Sequence, residues 1–398
     1  MLNPMPSCLG ERSAREARIS LGLSNFVHCA AQAMIATDRK TIADRQSTFS
    51  GTKDVVQPLR FDAERLEAWL SSQVDGFRGP LTVKQFKGGQ SNPTYFLETP
   101  SRRYVLRRKP PGKLLPSAHA VEREFRVISA LYRQNFPVPE PVVLCEDDAV
   151  VGTTFFVMGY VEGRIFWDPH LPNSNPAERA AIYDAANATI ARLHSFDPAG
   201  IGLADYGRGE NYVARQVERW SKQYRASETE TIEDMERLIA WLPQHLPPSG
   251  PVRVVHGDFR LDNMVIAPDA PRVIAVLDWE LSTLGDPLAD FSYHLMKWHM
   301  PPSDAGTGSL VGFDIASHGI PSMLTYADAY VARTGLDPRP HLPTYLAYNF
   351  FRLAAILQGI AGRVRDGTAT SEHAAAKAQQ VRPLAATAWK FAREAGAA

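Results

Sequence analysis

The stretch Val255-His256-Gly257-Asp258-Phe259-Arg260-Leu261-Asp262-Asn263, followed by Val276-Leu277-Asp278-Trp279-Glu280, constrains this chain more than any other feature. Val252-Arg253-Val254-Val255 precedes it, and the apolar run Val273-Ile274-Ala275-Val276-Leu277 leads into Asp278. These two runs predict strands on either side of a loop, with a carboxylate at the end of the second. In the loop, Asp258 precedes Asn263 by five residues, the spacing of H-x-D-x-x-x-x-N.

Moving the γ-phosphoryl group of ATP onto a hydroxyl needs positioning and charge neutralisation more than covalent help. A carboxylate must orient the hydroxyl and take its proton, and oxygen ligands must hold Mg²⁺ against the phosphates. Asp258, Asn263 and Asp278 supply those groups in order. Taken singly, His256, Asp258 and Asp262 are ordinary turn residues. A metallohydrolase built on the H-x-D pair and Asp278 also stays open, although the chain shows no further His-rich ligand spacing.

With these motifs the sequence resembles the aminoglycoside phosphotransferase-like kinases, a broad family that includes choline and homoserine kinase relatives. It is more closely similar to the kinase-like domain that precedes an acyl-CoA dehydrogenase in some fused proteins. The resemblance runs from about Phe61 to the C-terminus. It also rests on Phe86-Lys87-Gly88-Gly89-Gln90-Ser91-Asn92, on Tyr104 to Gly112 and on Gly285-Asp286-Pro287-Leu288-Ala289-Asp290, in the family's order. It implies an α+β, protein-kinase-like fold of two lobes, with a β-rich N-lobe, a mainly helical C-lobe and ATP in the cleft between them.

Carried over, the resemblance makes Asp258 the catalytic base, Asn263 and Asp278 the Mg²⁺ ligands, and His256 a brace for the loop, with Asp286 fixing the segment after the metal aspartate. A strand lysine paired with a helix glutamate binds phosphates in protein kinases. The matching position here is Arg107, with Arg108 and Lys109 beside it, and the expected partner is Glu124, with Glu122 second. Arginine is not a neutral replacement for lysine, so the choice among the three basic residues stays open. Gly88, Gly89, Gln90, Ser91 and Asn92 lie between two strand-like segments and are expected to cover the phosphates, a layout shared with plain β-hairpin turns. The adenine is expected against Met158 to Val161, including Tyr160.

Lys+Arg and Asp+Glu each number 43, so the formal net charge is zero and nothing points to nucleic acid. Hydrophobic residues at 44% and charged residues at 22% describe a soluble globular chain. Cys8, Cys29 and Cys145 show no paired spacing, which fits neither a zinc site nor a disulfide framework and favours a cytoplasmic setting.

Three segments are expected: residues 1–55 as a disordered extension, 56–160 as the N-lobe and 161–398 as the C-lobe. The stretch from Ile19 to Ala36 is too polar for a membrane span, and Met34 is a candidate true start. Helical spacing is expected from Phe61 to Leu70, Ser117 to Gln134, Ala177 to Ser195, Tyr212 to Arg225, Pro321 to Arg333 and Pro343 to Arg363, with a break at Pro137 to Pro141. His194 reads as a packed, structural histidine.

The acceptor is a small molecule, and polycationic acceptors need several carboxylates in the C-lobe. Between Tyr293 and Arg365 there are instead six Lys or Arg, four Asp and no Glu, which leans towards an anionic or neutral acceptor. The closer resemblance implies a hydroxyacyl-CoA and a functional link to an acyl-CoA dehydrogenase. Two alternatives remain: a kinase for an aminoglycoside, choline or a sugar, or a non-catalytic nucleotide-binding module in which Arg107 replaces the usual lysine.

Overall fold

The structure, a computed structural model, describes residues 50–87, 92–112, 119–303, 308–367 and 374–398. The extension expected over 1–55 lies outside the described residues as far as residue 49. Thr52–Lys53 (β1) fall within that expectation yet pair antiparallel with Phe86 and Gln85.

Alternating side chains build the first lobe. Helix α1 (Ala63–Gln73) starts at Asp62, whose carboxylate accepts from the Arg65 amide at 3.0 Å. Strands β2 (Thr82–Phe86), β3 (Thr94–Glu98) and β4 (Arg103–Arg108) follow, then α2 (Val121–Tyr132), β5 (Pro141–Cys145), the single turn α3 (Asp148–Val151) and β6 (Phe155–Gly159). The strands form one antiparallel sheet in the order β1-β2-β3-β4-β6-β5. Helix α2 is shorter than expected because His119 and Asn135 sit at positive φ just beyond its ends. The prolines expected only to break the chain also open β5, where Pro141 is the first residue of an edge strand and no ladder donor is lost.

The period of two along these strands sorts the lobe into two faces. Tyr95, Leu97, Tyr104, Leu106, Phe155 and Val157 pack with Leu66 and Leu70 of α1. Val105, Phe156 and Met158 turn the other way and join the main core.

The second lobe is helical around two small two-stranded sheets. Helices α4 (Pro176–Ser195), α5 (Tyr212–Ser227) and α6 (Glu233–Trp241) lead to β7 (Arg253–Val255), β8 (Met264–Ile266), β9 (Val273–Val276) and β10 (Thr283–Gly285). Strands β8 and β9 pair antiparallel, as do β7 and β10. Helices α7 (Pro287–Leu295), α8 (Met323–Thr334), α9 (Leu342–Arg365), α10 (Ala374–Ala378) and α11 (Val381–Glu394) complete it. Among the described residues no helix is long and apolar enough to cross a membrane. The architecture is α+β and protein-kinase-like, with an antiparallel sheet followed by a helical region.

Strand parity separates Arg108 from its neighbour. Arg108 shares a face with Tyr104 and Leu106, is buried, and donates to the Val151 carbonyl at 2.6 Å, the Leu59 carbonyl at 2.9 Å and the Tyr95 hydroxyl at 3.0 Å. Arg108→Ala takes the donor from the Val151 carbonyl and from the Tyr95 hydroxyl, while the Leu59 carbonyl keeps the Tyr95 hydroxyl, and is expected to cost about 2 kcal/mol of stability in denaturant unfolding, with nucleotide affinity unchanged.

Candidate active site

The loop between β7 and β8 is held from beneath by one buried carboxylate. Asp290, on α7, accepts from the His256 amide at 2.8 Å with one oxygen and from the Gly257 amide at 2.8 Å with the other. His194 of α4 lies 3.2 Å from Asp290 through Nε2 and 2.7 Å from the Tyr330 hydroxyl through Nδ1. Burial opposes the charged form of Asp290, but the His194 hydrogen bond and the loop amides outweigh it and hold the carboxyl below its ordinary range. Gly257 has φ +82°, and a Cβ there would stand 2.8 Å from the Leu281 carbonyl oxygen. Arg352 of α9 closes the support by donating to the Gly257 carbonyl at 2.9 Å.

His256 ties the loop to the next strand. Its Nδ1 accepts from the Asp258 amide at 3.2 Å, which leaves the proton on Nε2 to donate to the Leu277 carbonyl at 2.9 Å. The Leu277 amide in turn donates to the Asn263 carbonyl at 2.8 Å, so the residue before Asp278 is tied to Asn263.

Asp258 lies at the centre. The Asn263 side-chain amide donates to its Oδ2 at 3.1 Å and to its backbone carbonyl at 2.9 Å. The Tyr293 hydroxyl donates to its Oδ1 at 2.6 Å, and Arg260 Nε is 3.1 Å from the same oxygen. Burial works against ionisation of Asp258, yet Arg260 and the Tyr293 hydrogen bond outweigh it, so the carboxyl sits below its ordinary range and is anionic at neutral pH. Arg260 also pairs with Asp262 at 2.8 Å.

Opposite the loop stands Arg107, on the face of β4 that carries Val105. Its guanidinium meets Glu124 of α2 at 3.0 Å, Asp278 at 2.5 Å and Glu280 at 3.0 Å. Burial, reinforced by Asp278 and Glu280, pushes the Glu124 carboxyl up to about 8 in spite of Arg107. Three carboxylates around one cation leave the cleft short of positive charge. Asp278 has φ +64°, and its side chain is 34% exposed. It follows the largely buried strand β9, and its observed charge partner is Arg107. Asn92 bridges to Glu280 at 3.2 Å and lies 2.9 Å from His119 Nδ1.

The structure thus brings Asp258, Asn263, Asp278, Arg107, Glu124 and Asn92 towards one cleft. Gly88, Gly89, Gln90 and Ser91 lie outside the described residues, although β2 and β3 on either side of them form the expected antiparallel hairpin. Met158 is buried at the end of β6, and Tyr160 donates its amide to the Arg103 carbonyl at 3.2 Å while its ring meets Phe96. Of the other two basic residues, Arg108 points to the opposite face and Lys109 pairs with Glu122 at 2.9 Å. Asp286 caps α7, accepting from the Leu288 amide and the Tyr345 hydroxyl at 2.8 Å each. Sequence reading missed Glu280, Arg260, Tyr293, Arg352 and the role of Asp290. Asp290 had the one usable signal, its place in the quoted Gly285–Asp290 motif.

A β-sheet lobe, a helical lobe and a loop of this geometry define a kinase-type phosphotransferase. The chain belongs to the phosphotransferase enzyme family, whose sequence profile matches residues 82–328. It is 44% identical over 346 residues to acyl-CoA dehydrogenase family member 10 of Mus musculus, covering 87% of this chain and 32% of that protein. It is 45% identical over 356 residues to acyl-CoA dehydrogenase family member 11 of Rattus norvegicus, covering 86% and 45%. The chain therefore spans less than half the length of these relatives. Among solved structures, a putative aminoglycoside phosphotransferase from Ralstonia eutropha is 50% identical with a TM-score of 0.77, covering 84% of this chain and 99% of that one. Choline kinase from Cryptosporidium parvum shares the fold alone, at 10% identity and a TM-score of 0.57 over 84% of this chain and 96% of that one.

Asp290→Ala leaves two loop amides and His194 without an acceptor and is expected to cost about 3–5 kcal/mol in chemical unfolding. Because the folded-state carboxyl is depressed, its contribution is complete above the unfolded value of about 4 and is lost as pH falls through the lower folded value. Unfolding curves between about pH 5 and pH 2 are expected to steepen less with acid in the variant than in the wild type.

Proposed function

We propose that this chain transfers the γ-phosphoryl group of ATP to a hydroxyl of a small molecule, with a hydroxyacyl-CoA as the favoured acceptor. The observation that carries the reading is the cluster in which Asn263 touches Asp258 Oδ2 and is tied through Leu277 to Asp278. In this reading Asp258 orients the acceptor hydroxyl and takes its proton. Being anionic at neutral pH, it acts mainly by positioning and by accepting the proton late, as the phosphoryl group transfers. Burial pushes the Tyr293 hydroxyl well above its ordinary range, so it stays a donor that holds Asp258 in place.

Mg²⁺ suits the donor set. Among the described residues no group of three or more His, Cys, Asp or Glu is arranged to hold a metal unaided, and Mg²⁺ is commonly held by one or two carboxylates together with phosphate oxygens. Asn263 and Asp278 would hold it, and when bound it supplies positive charge against the phosphates. The surplus of carboxylates around Arg107 fits such a cation. Arg107 stays with Glu124 and presents its remaining N–H groups to the phosphates. In this reading Asn92 faces the triphosphate, and Met158 and Tyr160 the adenine.

The hydroxyacyl-CoA assignment is supported by the 44–45% identity to two acyl-CoA dehydrogenase family members. It also implies a dehydrogenase that acts on the phosphorylated product. The excess of basic residues between Tyr293 and Arg365 supports it less than the count suggests. Arg333 pairs with Asp184, Arg339 with Asp328 and Asp337, and Arg365 with Asp366, all outside the cleft. The second reading, a nucleotide-binding module without catalysis, draws on the Arg107–Asp278 pair, which engages the metal aspartate.

Incubation with Mg²⁺, ATP and separate hydroxyacyl-CoA, aminoglycoside, choline and sugar pools, read by mass spectrometry, is expected to give a phosphorylated hydroxyacyl-CoA. Asp258→Asn is expected to lower kcat by about 10²–10⁴ with ATP affinity retained. ATP binding without product from any pool would favour the binding module.

A further inference from the structure

Beside Asp258 lies a cavity that the phosphoryl-transfer chemistry does not use. Phe166, Leu261, Met296 and Met300 give it apolar walls. Arg260 and Tyr293, the two residues that contact Asp258 Oδ1, line it as well, which puts it next to the proposed base. Lys297 and Asp262 also line it.

Lys297 is an unusual residue for such a wall. Its Nζ lies 3.0 Å from His294 Nε2 and 3.2 Å from Nδ1. Both nitrogens are already engaged, Nδ1 with the Phe259 carbonyl at 2.9 Å and Nε2 with the Tyr326 hydroxyl at 2.8 Å. A neutral ring with both in-plane positions occupied has no lone pair left for Lys297, so the lysine nitrogen rests over the ring face. It is also 5.3 Å from the Tyr183 and Trp298 ring centroids. Among the described residues no carboxylate lies within ion-pair distance of it, and Asp262, the nearby acid, is paired with Arg260. Burial pushes Lys297 well below the ordinary lysine range, with Asp262 opposing the shift and Arg260 adding to it.

An enclosed amine with no carboxylate at ion-pair distance among the described residues, in a partly apolar cavity whose wall residues Arg260 and Tyr293 touch the base, fits a particular acceptor shape. The apolar walls take a short carbon chain, with the hydroxyl at Asp258, and the amine takes an electron-rich oxygen further along the chain. A polycationic acceptor would meet the Arg260 guanidinium with like charge.

We infer that Lys297 is a specificity-determining residue of the acceptor site, binding the acyl oxygen of the acceptor, whether a carboxylate or a thioester carbonyl. The inference deepens the hydroxyacyl reading and rests on it for the position of the reacting hydroxyl. An oxygen that is anionic or strongly polarised offsets the cost of enclosing the amine, and an alkyl group of the same length does not.

The test uses the full chain and ligands that cannot be phosphorylated. Calorimetry would compare a short saturated acyl-CoA, the matching free carboxylate, and an S-alkyl-CoA lacking the carbonyl oxygen, on wild type and Lys297→Met. The wild type is expected to bind at least one of the two acyl ligands at least tenfold more tightly than the S-alkyl compound. Lys297→Met is expected to erase that preference while ATP affinity and melting temperature hold. The carboxylate and thioester arms tell which oxygen is read. Equal binding of acyl and S-alkyl ligands by the wild type would overturn the inference without reference to any variant, as would an unchanged preference in Lys297→Met. A preference that depends on Lys297, in a protein that phosphorylates no hydroxyacyl-CoA, would sink the hydroxyacyl kinase reading and leave this subsite standing.

Discussion

Burying one guanidinium between two lobes is the constraint from which the rest of this cleft follows. Arg107 arrives on the inward face of a sheet strand and is closed off from water, so it must find carboxylates. Glu124 comes from the helix of its own lobe, whereas Asp278 and Glu280 come from the turn after β9 in the other. The contact therefore joins the sheet to the segment that carries the proposed metal aspartate. Burial, with Asp278 and Glu280 adding to it, pushes Glu124 up to about 8, and the surplus of carboxylates suits the cleft to a further cation.

The loop opposite Arg107 is organised on a different principle. Its backbone, more than its side chains, is what the surrounding helices hold. Asp290 takes two consecutive amides, Arg352 takes the Gly257 carbonyl, and His256 takes the Asp258 amide. A backbone fixed from α4, α7 and α9 leaves the Asp258 and Asn263 side chains to face the cleft. Preorganisation of this kind is what phosphoryl transfer demands of a protein, because positioning and charge are nearly all that it can contribute.

The loop was legible in the sequence because its residues are contiguous and their spacing is fixed by one turn. The two-lobed order of elements was legible for a similar reason, since alternation and helical periodicity are local. Arg107 and Arg108 could not be told apart because Tyr104, Val105 and Leu106 before them are all apolar, so neither strand face announces itself as the cleft. Helix α7 went unread although Asp286-Pro287 is a cap followed by proline at the first helical position. Arg260, Tyr293 and Lys297 acquire their meaning only through contacts made across the fold. A tally of basic residues could not separate Lys297, at the cavity, from Arg333 and Arg339, which pair with acids on helix surfaces.

The central claim is that the cleft between Arg107 and Asp278 binds nucleotide together with a divalent cation. A calorimetric titration of ATP, with and without Mg²⁺, on wild type and Asp278→Ala, tests it most directly. The account predicts wild-type affinity at least tenfold tighter with Mg²⁺, and a variant in which Mg²⁺ makes no difference. Wild-type affinity that is the same with and without the metal would contradict it.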